Sequence, residues 1–187
     1  ICSDEIHAGM VLGKNKHTPI ASISEAAANR TITLMSLNKT FNFPGAGLGW
    51  MICKNRSIRE KASQKIGSLI PHPEIFGYVA TDAAIKNGED WRLALLDYLS
   101  QNRNLLMERI NQIPGLRIYD IEASYLGWIS CEHLPVKNPH QLFLNHGVAL
   151  QPGYMFNQPN HVRINIATTH SLLKKALDRI EKAVKSI

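Results

Sequence analysis

Several features are scarce in this chain of 187 residues, and each scarcity narrows the reading. No apolar run approaches the ~20 residues that a membrane-spanning helix needs, so no membrane partner is expected. Cysteine occurs only at Cys2, Cys53 and Cys131, widely spaced and without a CxxC pair. That pattern argues against a disulfide framework and, with no charged-then-apolar leader at the start, makes the cytoplasm the expected compartment. The histidines form neither HxH nor HExxH, so no metal site is expected. Acidic residues are the minority, 15 against 21 Lys plus Arg, for a formal charge of +6. The surplus permits an anionic ligand without identifying one. The basic residues lack the aromatic or Gly-rich motif of a nucleic-acid reader, so no nucleic-acid partner is expected.

The composition, 44% hydrophobic and 19% charged, is that of a folded globular chain. Ile1-Cys2 runs directly into Ser3-Asp4-Glu5-Ile6-His7, a short apolar segment ending in polar groups. In an α/β protein this marks the carboxyl end of a buried strand, where ligand-binding residues collect. Residues 1–7 therefore read as the end of something longer, and truncation is expected. The pattern then predicts a short helix within 21–30, a strand over 31–36, a breaker-rich loop over 37–47 and a strand over 48–54. Helices follow over 58–68, capped by Ser57, and over 74–86, with Pro71 and Pro73 between them and Asn87-Gly88 as a stop. The clearest helix carries Trp91, Leu95, Leu99, Leu106, Ile110 and Ile113 largely on one face and ends at Pro114-Gly115. Strands over 116–121, 124–131 and 162–167, a helix over 138–146 and a C-terminal helix from Ser171 complete the order. The last helix sets Leu172, Leu173, Ala176, Leu177, Ile180, Val184 and Ile187 against a mainly charged face. The fold class is α/β.

Three groups sit where chemistry collects. Lys39, in Ser36-Leu37-Asn38-Lys39-Thr40-Phe41-Asn42, reads either as an amine nucleophile or as a solvated loop lysine. Asp4 and His7 lie at a strand end and read either as ligand contacts or as a cap and a surface histidine. Arg163 interrupts the apolar run His161-Val162-Arg163-Ile164-Asn165-Ile166, a costly placement unless an anion meets it or the strand lies at a sheet edge. Gly45-x-Gly47-x-Gly49 precedes a strand, not the helix a dinucleotide fingerprint requires. Tyr125 and Trp128 read as core residues.

Five segments occur in one order: SDEIH at 3–7, SLNKTFNFPG at 36–45, FGYVATDAAIKNGEDW at 76–91, SYLGW at 124–128 and VRINIAT at 162–168. Together they resemble the pyridoxal-phosphate enzymes of fold type I, the class I/II aminotransferase superfamily, and within it the cystathionine β-lyase/C–S lyase branch. The resemblance runs over essentially the whole chain but covers only the C-terminal half of such an enzyme.

The resemblance implies three parts: the remainder of the large cofactor-binding domain (1–87), a connecting helix (88–113) and a small α+β domain (114–187). Lys39 matches the lysine that condenses with the cofactor aldehyde and then removes the substrate's Cα proton. Asp4 matches the carboxylate that keeps the pyridine nitrogen protonated, so that the ring accepts electrons. His7 matches a polar residue facing the ring, and Ser36 a phosphate contact. Arg163 matches the arginine that grips the substrate α-carboxylate. The implied reaction is α,β-elimination on a sulfur-containing amino acid, giving thiol, pyruvate and ammonia, in an enzyme that is a homodimer when intact. An aminotransferase is the alternative within the class, and a non-catalytic interaction module the alternative outside it. Gly9 stands where related lyases often carry an acidic residue. The half not represented here should supply the start of the phosphate-binding helix and the aromatic that stacks on the ring, which puts in question whether this chain alone holds the cofactor.

Overall fold

A computed structural model describes residues 1–67, 69–70 and 72–187, so the expected helix end at Ser68 and the breaker Pro71 lie outside the described residues. The chain divides into two compact units, Ile1–Leu95 and Leu96–Ile187.

The first unit contains strands β1 (Cys2–Asp4), β2 (Ile32–Met35) and β3 (Trp50–Ile52) and helices α1 (Glu25–Ala28), α2 (Arg56–Ile66) and α3 (Ile75–Asn87). It also holds the start of α4 (Glu89–Asn111), the helix in which the division falls. β1 pairs parallel with β2, Asp4 opposite Leu34, and β3 adds antiparallel to β2, Trp50 opposite Met35. The β-branched run Thr31-Ile32-Thr33 suits a pleated strand, and the Thr31 hydroxyl ties its start to the Ala27 carbonyl at 2.8 Å. Capping chemistry sets the starts of the first two helices, one within the expected range and one displaced. α1 is a single turn, opened by the Ser24 hydroxyl, which accepts from the Ala27 N–H at 3.1 Å. α2 is capped by Asn55, not Ser57: the Asn55 side-chain oxygen accepts from the Ile58 N–H at 3.2 Å, so the helix starts earlier than expected.

The second unit holds the rest of α4, then β4 (Arg117–Ile118), β5 (Leu126–Ser130), α5 (Pro139–Asn145), β6 (Gln151–Pro152), β7 (His161–Asn165) and α6 (His170–Lys185). Its sheet is antiparallel throughout, in the order β4-β5-β7-β6. Alternation gives the sheet two faces. Gly127, Ile129, Val162 and Ile164 are buried on one face, and a Cβ at Gly127 would stand 3.0 Å from Leu106, so α4 packs directly on β5. Leu173, Leu177, Ile180 and Ala183 of α6 and Phe143 of α5 join this core, each apolar side chain stabilising by about 1.5–3 kcal/mol where burial is complete and the residue is large.

Three expectations change here. The strand expected over 116–121 is shorter, Arg117–Ile118, with one further bond from the Tyr119 N–H to the Trp128 carbonyl at 3.2 Å. Leu172 is 56% exposed, because the stripe through 173, 177 and 180 leaves residue 172 a hundred degrees to one side. Trp128 is half-buried on the face opposite the core, where its ring stacks on His161 with centroids 5.4 Å apart.

Candidate functional site

Parallel pairing decides what the first unit can do. Because β1 and β2 run the same way, their carboxyl ends emerge at one edge of the sheet, the position at which open α/β sheets bind ligands. Asp4–His7 leaves β1 there, and Ser36–Asn42 leaves β2. Four of the five expected residues, Asp4, His7, Ser36 and Lys39, are thereby carried on neighbouring segments.

The Lys39 segment is a tight turn, not an open loop. The Phe41 N–H bonds the Leu37 carbonyl at 3.0 Å and the Phe43 N–H bonds the Asn38 carbonyl at 3.1 Å. Asn42, at φ 53, closes the turn in the left-handed region that Asn tolerates better than most residues. The Ser36 hydroxyl donates to the Leu48 carbonyl at 2.7 Å and accepts from the Asn38 N–H at 3.2 Å. Its proton is thus used to fix the turn. Asn38 Oδ1 is buried and has no hydrogen-bond partner among the described residues, an orphaned acceptor beside Lys39. Lys39 itself is exposed, and none of the ion pairs among the described residues uses Lys39 or Asp4.

Between Asp4 and His7, Glu5 is 6% exposed. Burial pushes its carboxyl pKa up, but bonds from His17 Nε2 at 2.7 Å, the Ser3 hydroxyl at 2.9 Å and the Ile20 N–H at 3.3 Å outweigh burial and hold it below the usual carboxylate range. The charge fixes the path of the chain immediately after Asp4. The strand end expected to be buried is not: Cys2 and Asp4 are exposed, Ser3 alone is buried in β1, and the buried Glu5 just beyond it carries no sequence signal that sets it apart from Asp4.

Arg163 belongs to the second unit. β7 lies between β5 and β6, so the edge-strand explanation for this arginine fails. It points from the sheet face opposite the core, opposite Trp128 on β5 and Gln151 on β6. Its guanidinium donates to the Gln151 side-chain oxygen and lies 4.8 Å from the centroid of the Phe156 ring. Both partners are neutral, and none of the ion pairs among the described residues uses Arg163, so the fork keeps its charge and free donors for an incoming anion. Gln151 was not foreseen, because a two-residue strand leaves no periodic trace.

The family model for aminotransferase class I and II matches residues 1–180. Cystathionine β-lyase PatB of Bacillus subtilis is 30% identical over 98% of this chain and 49% of its own length. Among solved structures, OvoB superposes with a TM-score of 0.97 at 39% identity, over 100% of this chain and 49% of that one. Cystalysin from Treponema denticola, whose crystal structure contains pyridoxal 5'-phosphate, superposes with a TM-score of 0.92 at 28% identity, over 99% of this chain and 49% of that one. The chain spans about half the length of the relatives it matches.

Proposed function

Because the chain belongs to the aminotransferase class I and II family, we propose that it is the C-terminal portion of a pyridoxal-phosphate-dependent C–S β-lyase. The observation that carries this reading is the parallel β1–β2 pair, which brings Asp4 and the Lys39 turn to one sheet edge. The residues at that edge fit the cofactor: a primary amine for its aldehyde, a carboxylate for its ring nitrogen, and an orphaned buried Asn38 oxygen among the polar groups beside them. Bound there, pyridoxal phosphate would supply the electron sink that makes a substrate Cα–H bond acidic.

The protein's own residues supply the rest. Lys39 Nζ would hold the cofactor aldehyde in the resting enzyme and, once the substrate amine has displaced it, would be free to take the Cα proton and hand it to the departing thiolate. The Asp4 carboxylate keeps a proton on the ring nitrogen. His7 would lie on the ring side of the site, and Ser36 would contact the phosphate by turning its hydroxyl proton away from the Leu48 carbonyl, to which it donates at 2.7 Å. Arg163 grips the substrate carboxylate in a bidentate fork. Loss of the Cα proton with departure of a thiolate from Cβ then yields the thiol and, after water is added, pyruvate and ammonia. The favoured substrate is a sulfur-containing amino acid, in keeping with the named activity of the Bacillus relative. We place the boundaries of the large domain, connecting helix and small domain at 1–87, 88–113 and 114–187, the intact enzyme as a homodimer, and its compartment as the cytoplasm, in keeping with three free cysteines. The second reading, an aminotransferase, rests on the breadth of the family itself.

The test is borohydride reduction of the full-length protein loaded with pyridoxal phosphate, followed by peptide mapping. The expected result is label on Lys39 and pyruvate release from cystathionine or cystine. Keto-acid exchange without pyruvate would assign the aminotransferase instead, and label on another lysine, or on none, would overturn both readings.

A further inference from the structure

We propose that the first turn of α4 positions Lys39, with Arg92 as the positioning residue. The proposal rests on the reading of Lys39 as the reacting amine, and all the contacts it uses lie within the first unit.

Two independent grips converge on the residues that follow Lys39. The first runs through Arg92. Its Nη1 donates to the Gly9 carbonyl at 3.0 Å, while Nε and Nη2 fork onto the Glu89 carboxylate at 2.8 and 2.6 Å. Gly9 in turn lies against Thr40, which is 1% exposed: a Cβ at residue 9 would stand 2.8 Å from the Thr40 hydroxyl oxygen and 3.0 Å from its methyl carbon. The second grip is aromatic. Phe41 stacks on Trp91 with centroids 5.8 Å apart and planes at 26°, and a Cβ at Gly88 would fall 2.5 Å from the Phe41 ring. Residues 40 and 41 are therefore each held by residues 88–92, one directly and one through the turn after β1.

The magnitudes say what the Glu89–Arg92 pair is for. Glu89 is 62% exposed, and an ion pair of that kind adds little to stability. Its effect is directional. A guanidinium presents its donors in a fixed plane, so two bonds to one carboxylate aim the third N–H at the Gly9 carbonyl, which a lysine ammonium cannot do. An error of about 1 Å in placing a reacting group can cost about a hundredfold in rate, so a segment carrying the reacting amine gains most from such support.

The experiment uses the full-length protein and the variants Arg92→Met, Arg92→Lys, Gly9→Ala and Gly9→Ala/Thr40→Ala. In the cofactor-free protein, hydrogen exchange at the Phe41 and Phe43 amides is expected to rise about tenfold in Arg92→Met and Gly9→Ala, with α6 and β7 unchanged. Borohydride trapping of pyridoxal phosphate on Lys39 should slow in the same variants, and kcat should fall about 10- to 100-fold with KM within about twofold. Arg92→Lys should behave as Arg92→Met. Removing the Thr40 side chain should recover most of the Gly9→Ala loss, because the clash goes with it. Wild-type trapping and exchange in both single variants would overturn the proposal, as would loosening spread over the whole protein. Absence of label on Lys39 in the wild type would instead sink the amine reading, and the positioning role with it, even if the exchange changes appear.

Discussion

A carboxylate buried as deeply as Glu5 stays ionised only because three donors meet it, and it turns the chain just after Asp4. Its pKa lies below the usual range in the folded protein, so its contribution to stability is complete above the unfolded pKa and disappears as pH falls through the folded value. In the full-length protein, denaturation midpoints should therefore drop more steeply for the wild type than for Glu5→Gln as pH falls below the ordinary carboxylate value of about 4.5. At neutral pH that variant should cost about 1–3 kcal/mol, the penalty of imperfectly met buried donors. Equal slopes for the two proteins would mean that Glu5 carries no such charge. A second titratable group behaves oppositely. Burial pushes the Cys131 thiol up to about 12, leaving about one part in ten thousand as thiolate at pH 8. Alkylation with iodoacetamide should spare Cys131 until denaturant is added, and rapid native-state labelling there would contradict its burial just after β5.

At the scale of elements, helix α4 shows what could be read in advance and what could not. Leu99, Leu106 and Ile110 declare its buried face by spacing alone, and all three are fully buried. Asn102 falls on that same face, three residues after Leu99 and four before Leu106, a polar residue where the pattern asks for an apolar one. The anomaly was legible; its purpose was not, since its partners lie more than sixty residues away. The Asn102 amide donates to the Ile166 and Thr168 carbonyls, each at 2.9 Å, and its oxygen meets His170 Nδ1 at 2.9 Å. It thus joins α4 to the turn between β7, which carries Arg163, and α6. Asn102→Ala orphans two carbonyls and a ring nitrogen, so a loss of about 2–4 kcal/mol in urea unfolding is expected. Asn102→Leu should not rescue it, as it would if the site were only a gap in the core. Trp91, assigned by spacing to the same apolar stripe, is instead 47% exposed, and its ring stacks on Phe41, a contact that only the turn after Lys39 creates. For the candidate site the division is similar. Lys39, Asp4 and Arg163 stood out as charged groups at strand ends or inside an apolar run, whereas Glu89, Arg92 and Gly9 act through contacts that no local pattern encodes.

At the scale of the molecule, the two units are unequally built. Among the described residues, the buried apolar side chains of the first unit are Met10, Leu12 and Cys53, and the rest of the buried apolar set lies in the second. The first unit also exposes Ile75, Phe76, Val79 and Ile85 of α3 at 60–73%. A sheet of three short strands with so little buried beneath it does not offset the conformational entropy of ordering it. The second unit has a four-stranded sheet covered by helices and a continuous core. Since the chain spans about half the length of its matched relatives, the missing stabilisation for the first unit is most simply sought in the other half. In the 187-residue polypeptide, amides of β5, β7 and α6 should exchange with hydrogen slowly and together. Those of β1 and β2 should exchange at close to the unfolded rate. Supplying the full-length chain should bring β1 and β2 up to the protection of the second sheet, and pyridoxal-phosphate capture by Lys39 should appear only then. Strong protection of β1 and β2 in the half-length polypeptide would show that the first unit stands on its own contacts, and would remove the physical reason for expecting capture to wait on the other half.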